Sequence, residues 1–325
     1  IRGFDDADGL ALLELEEAYE ARHLGWKKPL LLLEGVFHQS ELDEAISLGL
    51  EIVIHSQEQL DWCLDYNGRF TSIWIKINSG MNRLGFSLNE IENNNGISLQ
   101  NKIKKLREKI LSKNGLRWLT HFSSGDISIK CKNQEIKFKK IISYLGYDKG
   151  ELVSYGNSSA LVCNKSFLLD WVRPGILLYG APSSNKPPEI MKIIVKNLTA
   201  CQSLTTRIVS IQHVLANEFV GYGESYKALI DMKIGIAAVG YADGYPRSAT
   251  QGTVVLVDGI RCPIVGVVSM DLITIDLTNA PMAKVGSTVE CWGKNLPILE
   301  LAKSSNRLCY ELFTGVTARV RRSIL

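Results

Sequence analysis

Apolar positions in the first 180 residues switch repeatedly between two periods. Short apolar runs at residues 9–13, 29–34, 50–55, 73–78, 116–122, 152–157 and 176–180 predict strands. Between them, apolar residues recur every three or four positions over 14–25, 39–49, 58–64, 102–113 and 134–145, which predicts helices. Alternation of this kind predicts parallel strands covered by helices. From about residue 195 the texture changes to short β-branched runs at 234–239, 252–257, 263–268 and 287–292, with a hairpin signal at Asp258-Gly259. Helical pattern there is confined to 298–302. Two domains follow: a barrel over 1–190 and a mainly β domain over 191–325, joined near Ser183-Ser184-Asn185-Lys186-Pro187-Pro188.

The predicted strands of the first domain end in Glu34, His55, Lys76, His121 and Asn157, and Arg173 opens the turn before the last one. Polar residues at the carboxyl ends of parallel strands are where a (β/α)8 barrel builds its site. No Gly-x-Gly-x-x-Gly turn favours an open, doubly wound sheet instead. The seven strand–helix units are one short of a closed barrel. The chain opens on Ile1-Arg2-Gly3-Phe4 rather than Met, so the first unit is expected to be the absent one.

Composition narrows the partners. The chain of 325 residues is 46% hydrophobic and 22% charged, as soluble globular proteins are, and its formal net charge of +3 is too small to argue for nucleic acid or a membrane surface. The basic run at 102–113 has apolar residues at helical spacing and reads as a solvated helix face. The seven cysteines form no Cys-x-x-Cys pair, which predicts a reducing cytoplasm with neither disulfides nor a metal site. No run reaches membrane-spanning length, and no signal peptide is recognised.

The stretch Asp170-Trp171-Val172-Arg173-Pro174-Gly175-Ile176 sets an arginine before a Pro-Gly turn. Read alone, it predicts backbone donors for a phosphate with Arg173 beside it. Together with Lys76-Ile77-Asn78-Ser79-Gly80-Met81-Asn82-Arg83-Leu84-Gly85-Phe86, Thr120-His121-Phe122 and Asn157-Ser158-Ser159-Ala160-Leu161 it resembles the alanine racemases. In the second domain Val220-Gly221-Tyr222-Gly223, Gly240-Tyr241-Ala242-Asp243-Gly244-Tyr245, Val268-Ser269-Met270-Asp271 and Tyr310-Glu311-Leu312 extend the resemblance over nearly the whole chain.

The resemblance implies a pyridoxal 5'-phosphate enzyme acting as a homodimer with shared active sites. It would interconvert L- and D-alanine by two-base proton transfer on the cofactor aldimine, supplying D-alanine for peptidoglycan. Tyr222 matches the tyrosine that acts on one face of the substrate α-carbon, and a neighbouring cation favours its phenolate. Arg83 matches the residue that provides this help and contacts the substrate carboxylate. Arg173 matches the residue facing the cofactor ring nitrogen, which moves it away from the phosphate. An arginine cannot accept a proton, so that nitrogen stays unprotonated and the ring is a weaker electron sink. His121 matches the support of this arginine. Asn157, Ser158, Gly175, Ile176 and Tyr310 match the phosphate surroundings. Met270 matches a substrate contact through its backbone N–H, and Tyr241 matches the site entrance. Lys76 matches a lysine carbamylated in many members. The residues alone leave open a packed phenol at Tyr222, a satisfied strand-end histidine at His121 and a lysine paired to a carboxylate at Lys76.

The departures are as telling. The family's cofactor lysine, which is also its second acid/base, and its neighbouring tyrosine have no counterpart in these 325 residues. The expectation is therefore an alanine racemase whose chain as given is inactive. The alternatives are a degenerate relative that binds cofactor weakly or serves as a partner protein, or a racemase of serine. Asn78-Ser79 stands where Asp-Thr is usual, and Ala318-Arg319-Val320-Arg321 lacks the usual proline.

Overall fold

The computed structural model describes residues 1–92, 96–112, 114–163, 169–184 and 187–324. Lys113 of the basic run, and Asn185 and Lys186 of the expected connection, lie outside the described residues. The chain divides into two compact units, Ile1–Pro174 and Gly175–Leu325.

The first unit runs β1 (Leu10–Leu12), α1 (Leu15–His23), β2 (Leu30–Leu32), α2 (Leu42–Ser47), β3 (Leu50–Ile54), α3 (Gln57–Asp65), β4 (Ile73–Asn78) and β5 (Phe86–Ser87). It continues α4 (Leu88–Glu90), α5 (Gly96–Glu108), β6 (Leu116–Leu119), α6 (Ser128–Tyr144), β7 (Leu152–Ser154), β8 (Gly156–Asn157), α7 (Ser158–Cys163) and β9 (Val172–Arg173). Six strands form a parallel half-barrel in the order β1-β2-β3-β4-β6-β7, with β5 branching from β4 and β8–β9 a separate parallel pair. Strand β3 is buried at all five positions, as a parallel strand covered on both faces must be. Period-2 alternation sends Ile52, Ile54, Ile73, Ile75 and Trp118 into the main core with the helices. Val53, Trp74 and Leu119 point the other way, into a smaller cluster with Leu31, Leu33 and Trp171.

The second unit contains α8 (Glu189–Lys196), β10 (Leu204–Val214), β11 (Phe219–Val220), β12 (Tyr226–Lys227), β13 (Met232–Ala237) and β14 (Val254–Val257). It ends with β15 (Ile260–Val265), β16 (Ile273–Asp276), β17 (Thr288–Trp292), α9 (Ile298–Ser305) and α10 (Cys309–Gly315). Six antiparallel strands close into a barrel in the order β10-β13-β16-β15-β14-β17. Asp258 and Gly259, both at positive φ, make the β14–β15 hairpin as their sequence predicts.

One predicted strand is corrected. Residues 176–180 form a 3-10 helix, Ile176–Tyr179, closed by Gly180 in the left-handed region. A side chain at Gly180 would collide with the Thr199 carbonyl. Ile176 and Ala181 enter the core of the second unit, so the apolar run is buried without pairing in a sheet. The compact units therefore separate at 174/175, ahead of the 190/191 boundary expected from the change in texture.

Candidate active site

In the first unit the carboxyl ends of β2, β3, β4 and β6 bring Glu34, His55, Lys76 and His121 side by side. Ile54 pairs with Ile75, which sets His55 level with Lys76, and Lys76 pairs with Leu119, two residues before His121. Arg173 reaches this end from β9. Its guanidinium donates to the Thr120 carbonyl at 2.6 Å and to the Ser154 hydroxyl. Burial lowers Arg173 to about 10.

Arg83 is placed by the turn that follows β4. Asn78 Oδ1 accepts from the N–H groups of Gly80 (3.1 Å) and Asn82 (3.0 Å), folding the chain back on itself. Gly85, at φ +108°, lies so close to β4 that an added Cβ would stand 2.7 Å from the Lys76 carbonyl. Asn78 thus supplies the side-chain acceptor that holds this turn. Ser79, in place of the usual Thr, bonds the Thr120 hydroxyl at 2.8 Å.

Electrostatics follow from this gathering of cations. Burial, then Arg83 and Arg173, lowers Lys76 to about 8, with Glu34 opposing. Burial, then Arg173, Arg83 and Lys76, lowers His121 to about 4. His55 is lowered by burial and Lys76, against Glu34. Among the described residues, none of Lys76, Arg83 and Arg173 is ion-paired, although Glu51, Glu135 and Glu151 of the same unit all are. Such a donor set fits an anionic ligand.

Asn157 is a cap and a bridge: Oδ1 accepts from Ala160 N–H at 3.0 Å, and Nδ2 donates to the Phe122 carbonyl at 3.1 Å. Nδ2 also lies 3.4 Å from His121 Nε2. Ser158, the buried first residue of α7, stands next to it. Two supports escaped the sequence reading. Gln59 ties the Glu34 and Val36 carbonyls to the His55 N–H, and Gln134 ties Ser79, His121 and Ser123. Both are buried amides on helices, and a polar residue at a core position of the helical period is the signal that marks them.

The second unit holds the remaining candidates in three places. Gly175, the Ile176 N–H and the Tyr310 hydroxyl lie together. The hydroxyl is 3.9 Å from where a Gly175 Cβ would stand. Burial raises Tyr310, while the Ile176 N–H pulls it back. Tyr241 and Met270 share another turn: Tyr241 N–H donates to the Ser269 carbonyl at 3.1 Å and Ala242 N–H to the Met270 carbonyl at 2.9 Å. Arg319 clamps this pair of turns, bonding Asp243 and Asp271 at 2.7 Å each. Tyr222 stands apart on the β11–β12 ribbon, between Gly221 (φ +81°) and Gly223 (φ +66°), with its side chain 75% exposed.

A parallel half-barrel with cations at its strand ends, carried with a closed antiparallel barrel, defines the chain as a two-domain enzyme of barrel type. The family model of the alanine racemase N-terminal domain matches residues 3–183, and that of the C-terminal domain matches 201–324. The alanine racemase of Wigglesworthia glossinidia brevipalpis is 40% identical over 325 residues, covering 98% of this chain and 86% of the relative. The biosynthetic alanine racemase of Pseudomonas aeruginosa superposes with a TM-score of 0.86 at 36% identity, over 98% of this chain and 85% of that one. The Bartonella henselae alanine racemase, solved with covalently bound pyridoxal phosphate, gives 0.81 at 28% identity, over 97% and 84%. The chain belongs to the alanine racemase family and is an amino-acid racemase by class, an isomerase.

Proposed function

We propose that the protein interconverts L- and D-alanine with pyridoxal 5'-phosphate and supplies D-alanine for peptidoglycan. The observation that carries this reading is the set Lys76, Arg83, His121 and Arg173 at the strand ends, without an ion pair among the described residues. When bound, the cofactor supplies an electron sink that makes the α-proton of an amino acid acidic. Arg173 would hold the ring nitrogen unprotonated, since a guanidinium cannot take its proton. His121, kept neutral by burial and then by its cationic neighbours, would support that arginine without adding a charge. Gly175, Ile176 and Tyr310, with Asn157 and Ser158, would cradle the phosphate. Arg83 would take the substrate carboxylate, together with the Met270 N–H, and favour the phenolate of Tyr222. Tyr222 would then move the α-proton on one face, and Tyr241 would guard the entrance. A carbamate on Lys76 would replace its positive charge with a negative one, which would hold Arg83 in place.

A homodimer with shared sites gives the exposed Tyr222 a purpose. The free thiols accord with a cytoplasmic enzyme. The family's cofactor lysine belongs to the first unit of its barrel and has no counterpart here. We therefore expect this chain by itself to turn over no alanine. A second reading is a cofactor-binding relative without catalysis.

Pyridoxal phosphate titration followed by borohydride reduction and peptide mapping tests these readings. Saturable binding is expected, weakened about tenfold by Arg173→Gln, with no label on Lys76 and no alanine racemisation. Absence of saturable binding would remove the cofactor reading, and turnover by these 325 residues would remove the expected inactivity. For protein from the native source, alanine racemisation supports the first reading, and binding without turnover supports the second.

A further inference from the structure

Helix α6 has two apolar sides. One is buried under Phe138, Ile141 and Ile142 as the cover of the sheet. On the other, Ile129 and Ile136 are 67% and 57% exposed, seven residues apart and therefore on one line. Lys140, paired with Glu92 at 3.1 Å, and Tyr144 continue that line. Lys130 and Lys137 flank it on one side, without an ion pair among the described residues. Lys132 and Lys139 flank it on the other, meeting on the buried carboxylate of Glu135 at 2.9 and 2.7 Å. No exposed position of α6 is acidic. The net charge of +3 conceals this, because the lysines gather on one helix while acids elsewhere offset them.

The geometry points to a contact between this face of α6 and an anionic lipid bilayer surface. Core burial already anchors the helix through its other side, and the two isoleucines stay largely exposed. They project singly, with Asn133 between them on the same line, and make no contiguous patch. A protein interface is built around a continuous packed core, whereas a headgroup layer accepts isolated apolar side chains. Lys130 and Lys137 can extend their stems along the helix and set their ammonium groups among lipid phosphates, while Lys132 and Lys139 already share Glu135. This inference is independent of the racemase reading.

Flotation of the full chain with vesicles tests it, comparing phosphatidylcholine alone with phosphatidylcholine mixed with phosphatidylglycerol. Binding is expected only to the mixed vesicles, falling as salt rises. Ile129→Ser/Ile136→Ser and Lys130→Gln/Lys137→Gln should each lower the partition about tenfold. Ile193→Ser, an exposed apolar position on α8, should leave it unchanged. Equal partition into both vesicles, or no binding to either, overturns the proposal. So does a loss with the lysine variant but not the isoleucine one, which would leave only diffuse charge attraction. Indifference to vesicles combined with salt-sensitive retention on a polyglutamate column would assign the face to an acidic protein and overturn it equally.

Discussion

The two ends of the half-barrel handle buried charge in opposite ways. Near the amino ends of the strands, Glu51 accepts from Trp74 Nε1 at 2.7 Å, and both its oxygens accept from Arg117 Nη1 at 2.7 Å. The Arg117 guanidinium also lies over the Trp74 ring, 5.4 Å from its centroid. At the carboxyl ends, Lys76, Arg83 and Arg173 face one another with Glu34 as the opposing acid. One end is neutral within the chain, and the other is left for something to neutralise. In a barrel of parallel strands the first arrangement serves stability and the second serves chemistry. The difference lies in the partners, since both ends stand on the same sheet.

Breaking the paired end should have the largest effect. Glu51→Ala leaves Arg117 as a buried, uncompensated cation and is expected to cost about 3–5 kcal/mol in urea unfolding. Arg173→Gln removes a cation that has only neutral acceptors and should stay within about 1 kcal/mol of the parent. If the two substitutions cost the same, the contrast between the ends is void. A smaller effect should appear on adding inorganic phosphate. Bound at the carboxyl end, it should stabilise the parent by about 1–2 kcal/mol at concentrations well above its dissociation constant. Free inorganic phosphate, unlike the cofactor's own phosphate, can sit among the unpaired cations. Arg173→Gln should therefore lose part of this gain, and a full gain in that variant would place the anion at the cradle proposed for the cofactor phosphate instead.

How far the sequence discloses this contrast depends on the range of the forces involved. Strand β4 is legible to the residue, because an apolar run broken only by Lys76 and closed by Asn78 and Ser79 has few other solutions. Strand β10 is missed: its eleven positions alternate irregularly in burial, since it leaves one barrel neighbour for another midway. The run at 176–180 is misread because apolar character reports burial and not strand pairing. In the site, Arg83, His121 and Arg173 can be found by motif. Gln59, Gln134 and Arg319 cannot, because their partners are brought to them only by the fold.

The finest test of the unpaired end is its pH dependence. His121 is held at about 4 in the folded unit, below the 6.5 of a free imidazole. Between these values the unfolded chain binds the proton that the folded one refuses, so stability rises with pH across that window. Below about 4 the penalty is fully present, and above about 6.5 it has vanished. His121→Gln has no such proton to refuse. Its stability relative to the parent should therefore be greatest near pH 4 and decline toward pH 7. Because the imidazole is partly open to solvent, screening should keep the difference under about 1 kcal/mol. Urea midpoints of the two proteins from pH 4 to 7 measure it. Bound phosphate should shrink the difference, because an anion beside Lys76 and Arg173 offsets the cations that exclude the proton. A difference unchanged by phosphate, or one that grows with pH, would mean that His121 answers to burial and not to the unpaired cations.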